Sequence, residues 1–205
     1  MNSLDLAHPS GFHFQGKEHL KKRHHPIHIY LDDQLYFLTA HTYRNQYQLQ
    51  EKFHKERLLD KIKEFLHDFN FSLYAWVILS SHYHIQFKTS KGKALAKVIG
   101  KIHTSYSFEM NKLDNKRGRK IWQNYWDWCI RSEKDFWTHF NYIHHNPLKH
   151  GYVQKMEDYE FSSYRHWLNK KGDEWMKSVF EQYPVIDFTI EHDEFYVGRI
   201  QHTNK

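Results

Sequence analysis

An α+β fold is predicted: a ferredoxin-like antiparallel sheet with helices packed on one face and one added helix. Three observations carry this expectation. Two-residue and 3.6-residue periodicities succeed one another as strand, helix, strand, strand, helix, strand, helix. A nearly continuous β-prone run, FSLYAWVIL, is followed after two serines by an alternating run, HYHIQFKT, which reads as a hairpin. Two amphipathic, lysine-studded segments flank that hairpin, each with one apolar stripe.

Taken in order, residues 1–30 are rich in His, Lys, Gly and Pro without a sustained period and read as a basic arm. Asp32 and Asp33 then turn the chain into a strand over Leu35–Thr42. Leu58, Leu59, Ile62, Phe65, Leu66 and Phe69 recur at helical spacing, which predicts a helix over 48–69. The hairpin follows over 71–79 and 82–89. Within its second strand His82, His84, Gln86 and Lys88 share one face, and Tyr83, Ile85 and Phe87 take the apolar face that fixes register against the core. Leu95, Val98, Ile99, Ile102 and Tyr106 form the stripe of a second helix, with Lys93, Lys97 and Lys101 along another line. Residues 112–120 (KLDNKRGRK) are a basic loop, and the latter part of IWQNYWDWCI, residues 121–130, is a strand. Ser132 with Asp135 resembles a capping box, so a third helix should begin there and end at Asn146, ahead of Pro147. Beyond it lie a compact segment over 159–168, a short helix near 174–183 and an acidic tail, DFTIEHDE, so 169–205 is an extension of partly helical character.

Composition narrows the function classes. The single cysteine, Cys129, excludes a disulfide scaffold and any multi-cysteine zinc module. Residues 1–10 carry no basic stretch leading into an apolar run, and nowhere do eighteen apolar residues follow one another. The expectation is a cytoplasmic protein without membrane association. A net charge of +6 favours a polyanionic partner, since clustered Lys and Arg gain affinity by releasing counterions from phosphates. Aromatic residues make up 18% of the chain, and most belong to the core, with stacking of unpaired bases as the minority use.

His82-Tyr83-His84 is the one pattern that suggests chemistry directly. In a chain with 19 histidines, chance alone supplies roughly two such spacings, so the pair needs independent support. Strand geometry supplies part of it, because residues two apart point the same way and can offer two imidazoles to one cation. In the third helix the core stripe is Phe136, Phe140 and Ile143, which leaves Tyr142 and Asn146 one turn apart on a neighbouring face. A helix docked over the sheet could bring both to the histidines.

The stretches AWVILSSHYHIQF, IWQNYWDWCIRSEKDFW and YIHHNPLKHGYV resemble the three signature regions of the REP-associated tyrosine transposases, relatives of the single-tyrosine HUH insertion-sequence transposases. The likeness spans about residues 25–168, so the transposase-like domain is set at 31–168. Ser80 and Ser81 stand where members commonly carry Pro-Asn, and Tyr83 where an aliphatic residue is common. Neither change removes a functional side chain. The resemblance implies His82 and His84 as paired metal ligands, Asn146 as the third, oxygen-bearing ligand, and Tyr142 as nucleophile. It also implies single-stranded DNA with a hairpin and a short flanking guide as substrate, and leaves monomer and homodimer both open.

The implied chemistry is attack of a tyrosine oxygen on a DNA phosphodiester, leaving a 5′-phosphotyrosine and a free 3′-hydroxyl. Mg²⁺ or Mn²⁺ is the expected cofactor, with Mn²⁺ the closer match to imidazole ligands. A tyrosine with its ordinary pKa near 10 is mostly protonated at neutral pH, and His139, His145 and Lys149 are the nearby groups in sequence that could assist. Lys93, Lys97, Lys101, Lys116, Arg117, Arg119 and Lys120 are candidates for contacts to the DNA backbone. Two rival readings stand beside this one: a hairpin-binding protein without catalysis, and a zinc-dependent hydrolase. The second lacks a third His or carboxylate at metalloprotease spacing.

Overall fold

The computed structural model describes residues 30–186 and residue 188, so the N-terminal arm and most of the acidic tail lie outside the described residues. The order of elements is β1 (Leu35–Thr42), a 3-10 turn at Tyr43–Asn45, α1 (Lys52–Asp68), β2 (Ser72–Ile78), β3 (His82–Lys88), α2 (Leu95–Leu113), β4 (Trp122–Cys129), α3 (Glu133–Lys149), α4 (Tyr164–Lys171) and α5 (Asp173–Gln182). The strands form one sheet in the order β2-β3-β1-β4, antiparallel at every pairing, which is the expected ferredoxin-like arrangement. Among the described residues no helix is long and apolar enough to cross a membrane.

Both faces of the sheet are covered. Tyr36 and Leu38 of β1 pair with Phe87 and Ile85 of β3, and this side meets α1 and α2, as the contacts of Tyr83 with His103 and of Trp76 with Lys63 show. On the opposite side Phe37 and Thr39 pair with Gln86 and His84, and there α3 lies across the sheet, with Gln86 Nε2 donating to the Phe136 carbonyl at 3.1 Å. The added helix thus occupies the face that α1 and α2 leave open. Burial on both sides explains why β1 is an almost unbroken apolar run.

Strand β4 takes in nearly all of 121–130 and not its latter part alone, and two helix boundaries also differ from expectation. Helix α1 starts four residues late, because Leu49 spends its N–H on the Ser80 carbonyl at 2.9 Å and holds residues 46–50 irregular. Helix α3 passes through Pro147 to Lys149. Proline removes one donor, but here it sits in the last turn, and a Schellman closure takes over: Tyr152 N–H donates to the Pro147 carbonyl and Gly151 N–H to the Leu148 carbonyl. Gly151 is at φ +69, the left-handed conformation that this closure requires. At the other end Ser132 Oγ accepts from Asp135 N–H at 3.0 Å, while the Asp135 carboxylate accepts from Arg131 N–H and not from Ser132.

The segment after α3 protects an edge. Ile78 N–H donates to the Phe161 carbonyl and Ser163 N–H to the Trp76 carbonyl, so residues 161–163 lie along the free side of β2. A bulge between Leu73 and Ala75 frees the Tyr74 carbonyl, which accepts from Trp167 Nε1 of α4 at 2.8 Å. Asn141 Nδ2 donates to the carbonyls of Val179 and Tyr183, satisfying the open end of α5 from the side of α3.

His103, on α2, accepts or donates at Nε2 to the Tyr83 hydroxyl at 2.9 Å and stacks on Trp122 at 4.3 Å. Burial pushes its imidazole down to about 3 from the ordinary 6.5. The unfolded chain therefore binds a proton below about pH 6.5 that the folded ring refuses, so this stability is complete above that pH and is lost as pH falls toward 3. Allowing for the ring's partly exposed edge, lowering the pH from about 7 to about 5 should cost about 1–2 kcal/mol through this residue. Urea unfolding of the wild type and of His103→Gln over that interval checks it, with the variant losing less by that amount.

Candidate active site

His82 and His84 project from β3, a strand hydrogen-bonded on both edges, toward α3. Both side chains are buried, at 8% and 3% exposure, so their positions are set by packing. Their rings meet at 5.0 Å between centroids, inclined at 73°. Across the register pair Thr39–His84, Thr39 Oγ1 lies 2.7 Å from His84 Nδ1, which orients the ring and leaves Nε2 facing inward. Phe37 stacks on the same ring at 5.5 Å.

Helix α3 brings Tyr142 and Asn146 to this place, one turn apart. The Tyr142 ring stands 5.3 Å from that of His84, at 65°. Asn146 is fully buried, and its amide lies against His82. Thus all four side chains singled out in the sequence converge at one point between β3 and α3. His84 Nε2 and Asn146 Oδ1 are buried with no hydrogen-bond partner. Two imidazole nitrogens and an amide oxygen are a donor set that a divalent cation would satisfy, Mn²⁺ more closely than Mg²⁺. Among the described residues, no three His, Cys, Asp or Glu side chains are arranged to hold a metal, so the multi-histidine or carboxylate set of a zinc hydrolase has no counterpart there.

Burial holds both imidazoles well below their usual pKa. For His82 the neighbouring His41 and His150 push the same way, opposed by the Asn146 amide; for His84 the main neighbour is His82. The neutral ring that results is the form in which histidine binds metals.

His41 and His150 were not foreseen. His41 stacks on His82 at 4.9 Å and His150, the residue closing α3, meets it edge-on at 5.1 Å. The signal was present in the spacing: His41 shares a face with Phe37 and Thr39, and His150 follows Asn146 by one helical turn.

The three groups considered for assisting Tyr142 are placed differently. His139 is committed to Asp135, whose Oδ1 is 2.9 Å from its Nδ1, and it stacks on Phe188 at 4.2 Å. His145 is half-buried. Lys149 carries its ammonium over the Tyr142 ring, 5.6 Å from the centroid, two turns further along α3. Phe188 also reaches the Tyr142 ring, edge-on at 5.1 Å.

The basic candidates do not gather here. Lys97 and Lys101 extend over Phe69 and Phe65 beside α1, on the side of the sheet away from the histidines, and Lys93 precedes them in the turn before α2. Charge spacing along a helix gives no sign of which face of the sheet the helix will cover. In the loop after α2, Lys116 and Arg117 are exposed, and the Lys120 ammonium lies 4.6 Å from the Tyr43 ring centroid. Arg119 is tied internally to Asp114 at 2.7 Å and to Asn111 at 3.0 Å.

Residues 33–146 match the family described as "Transposase IS200 like", a span from just before β1 to Asn146 that takes in the whole sheet and the converging side chains. A Haemophilus influenzae protein described as a REP-associated tyrosine transposase is 31% identical over 127 residues, 54% of this chain and 72% of that protein. The REP-associated tyrosine transposase of Escherichia coli K12 is 31% identical over 96 residues, 46% of this chain and 54% of that protein. A solved REP-associated tyrosine transposase bound to a REP hairpin shares the fold, with a TM-score of 0.62 at 24% identity, covering 74% of this chain and 87% of that one. The chain belongs to the IS200-like transposases, in their REP-associated tyrosine transposase branch.

Proposed function

We propose that this protein is a metal-dependent single-strand DNA endonuclease and strand transferase that acts on hairpin DNA through a covalent tyrosine link. The observation that carries the reading is the meeting of the Tyr142 ring with His84 beside two orphaned buried acceptors, His84 Nε2 and Asn146 Oδ1. Support for the substrate comes from the relative of like fold that was solved with a REP hairpin.

In this reading Tyr142 Oη attacks phosphorus in line, the bond from phosphorus to the 3′-oxygen breaks, and a 5′-phosphotyrosine forms. The departing 3′-oxygen takes up a proton, and the phenol gives one up. Attack by a 3′-hydroxyl on the phosphotyrosine reverses the step, restores the phenol and rejoins DNA, so the bond energy is conserved. His82, His84 and Asn146 would hold the divalent cation, which supplies Lewis-acid polarisation of the phosphate oxygens. Thr39 keeps the His84 ring turned toward it. Lys149 places a positive charge against the ring on which phenolate character develops.

A labelled hairpin oligonucleotide with single-stranded flanks, incubated with Mn²⁺ and run on a denaturing gel, tests the assignment. A protein-DNA adduct is expected from the wild type and none from Tyr142→Phe; binding without any adduct would leave only the non-catalytic hairpin binder. Thr39→Val should weaken Mn²⁺ binding about 10- to 100-fold, read by calorimetry on the protein without DNA. For Lys149→Met the adduct rate should fall about 10- to 100-fold with hairpin affinity little changed, and Lys149→Arg should recover part of it.

A further inference from the structure

The converging ligands stand on separate elements, His82 on β3 and Asn146 on α3, and the gap between them has to be fixed by something other than either element alone. The bonds made by Gln86, Asn141 and His144 all hold α3 upstream of Asn146. Beyond the last turn one residue reaches both sides. Tyr152 N–H donates to the Pro147 carbonyl at 2.9 Å, next to Asn146, and the Tyr152 hydroxyl accepts from Ser80 N–H at 3.2 Å, two residues before His82. The turn it meets is tight: Leu79 N–H donates to the His82 carbonyl at 2.9 Å across it, so a displacement of Ser80 is passed on to His82.

Ser80 is buried, so its N–H needs an acceptor. It stands where the resembling transposases commonly carry proline, which has no N–H to satisfy. Serine brings a donor into the turn, and the Tyr152 hydroxyl meets it. Tyr152 is 38% exposed, so burial alone does not fix its ring. Its neighbours do. The ring packs edge-on against Tyr159, 5.6 Å away at 61°, and the buried Lys55 ammonium of α1 lies 5.9 Å from its centroid and 5.6 Å from that of Tyr159. Tyr159 in turn donates its hydroxyl to the Ile78 carbonyl at 2.7 Å, just ahead of the same turn.

We propose that Tyr152 is a positioning residue for the metal site: with its backbone tied beside Asn146 and its hydroxyl tied to the turn of His82, it sets the gap between the two ligands. The proposal rests on the metal-site reading given above and is tested apart from it. Tyr152→Phe keeps the ring and its packing and deletes only the acceptor, which leaves Ser80 N–H without a partner. Mn²⁺ affinity, measured by calorimetry without DNA, should fall about 10-fold. Adding Ser80→Pro to Tyr152→Phe removes the orphaned donor and should recover most of that affinity, a rescue that a general loss of stability does not give. In EDTA, NMR signals of the His82 ring and the Asn146 side-chain amide should move in Tyr152→Phe and return in the double variant, with the His103 ring unchanged. Wild-type Mn²⁺ affinity in Tyr152→Phe, or a double variant no better than the single one, overturns the proposal and leaves the metal site standing. A wild type that binds no Mn²⁺ would sink the metal reading, and the spectra in EDTA then decide: unmoved His82 and Asn146 signals overturn the positioning role too, and moved ones sustain it.

Discussion

Because β3 is paired on both edges and covered on both faces, its side chains from His82 to Phe87 are buried, and the alternation of its residues decides what each half of the molecule can be. Tyr83, Ile85 and Phe87 complete the core under α1 and α2, while His82, His84 and Gln86 make the floor under α3. A slip of one residue would exchange the two sets. It would bury two imidazoles and an amide among apolar side chains at about 1–3 kcal/mol each without new partners. Register is therefore fixed by the hydrophobic face, and the polar face inherits its geometry.

What lies above that floor depends on α3 being held at several points. Gln86 fastens the Phe136 carbonyl, Asn141 reaches across to the end of α5, and His144 Nε2 meets Ser163 Oγ at 2.7 Å. Ser163 in turn accepts from Trp76 N–H on the edge of β2. The C-terminal helices thus do more than cover surface. They tie α3 to the sheet from the far side, so Tyr142 and Asn146 project from a helix restrained on both flanks, as a precise site requires.

Much of this was legible from periodicity. The start of β1 follows from the turn at Asp32 and Asp33, and every residue of the expected α2 stripe is buried, with Met110 extending it by one turn. Local signals failed where long-range hydrogen bonds overruled them. Residues 48–51 have helical spacing yet stay irregular because of Ser80, and Pro147 lies inside α3 because a downstream glycine closes the helix. The strand-like course of 161–163 has no pattern to read, since only backbone atoms and one serine hold it to β2. In the site, side-chain type and two spacings, His82 to His84 and Tyr142 to Asn146, already marked four residues. His41 and Thr39 depended on knowing that β1 pairs with β3 at that register.

An orphaned acceptor is not by itself a mark of function in this protein. Gln86 Oε1 and Asn141 Oδ1 also lack partners, along the seam between α3 and its neighbours. Each belongs to a side chain whose other polar atom fastens two elements, so the lone atom is the by-product of a brace. His84 and Asn146 differ in what surrounds them. Asn146 Nδ2 makes one long contact, 3.4 Å, to the Tyr142 carbonyl within its own helix. Its amide also faces His82, whose ring meets that of His84, which in turn meets Tyr142. Buried donor atoms gathered at one convergence cost stability, and a shared ligand there is what would offset the cost.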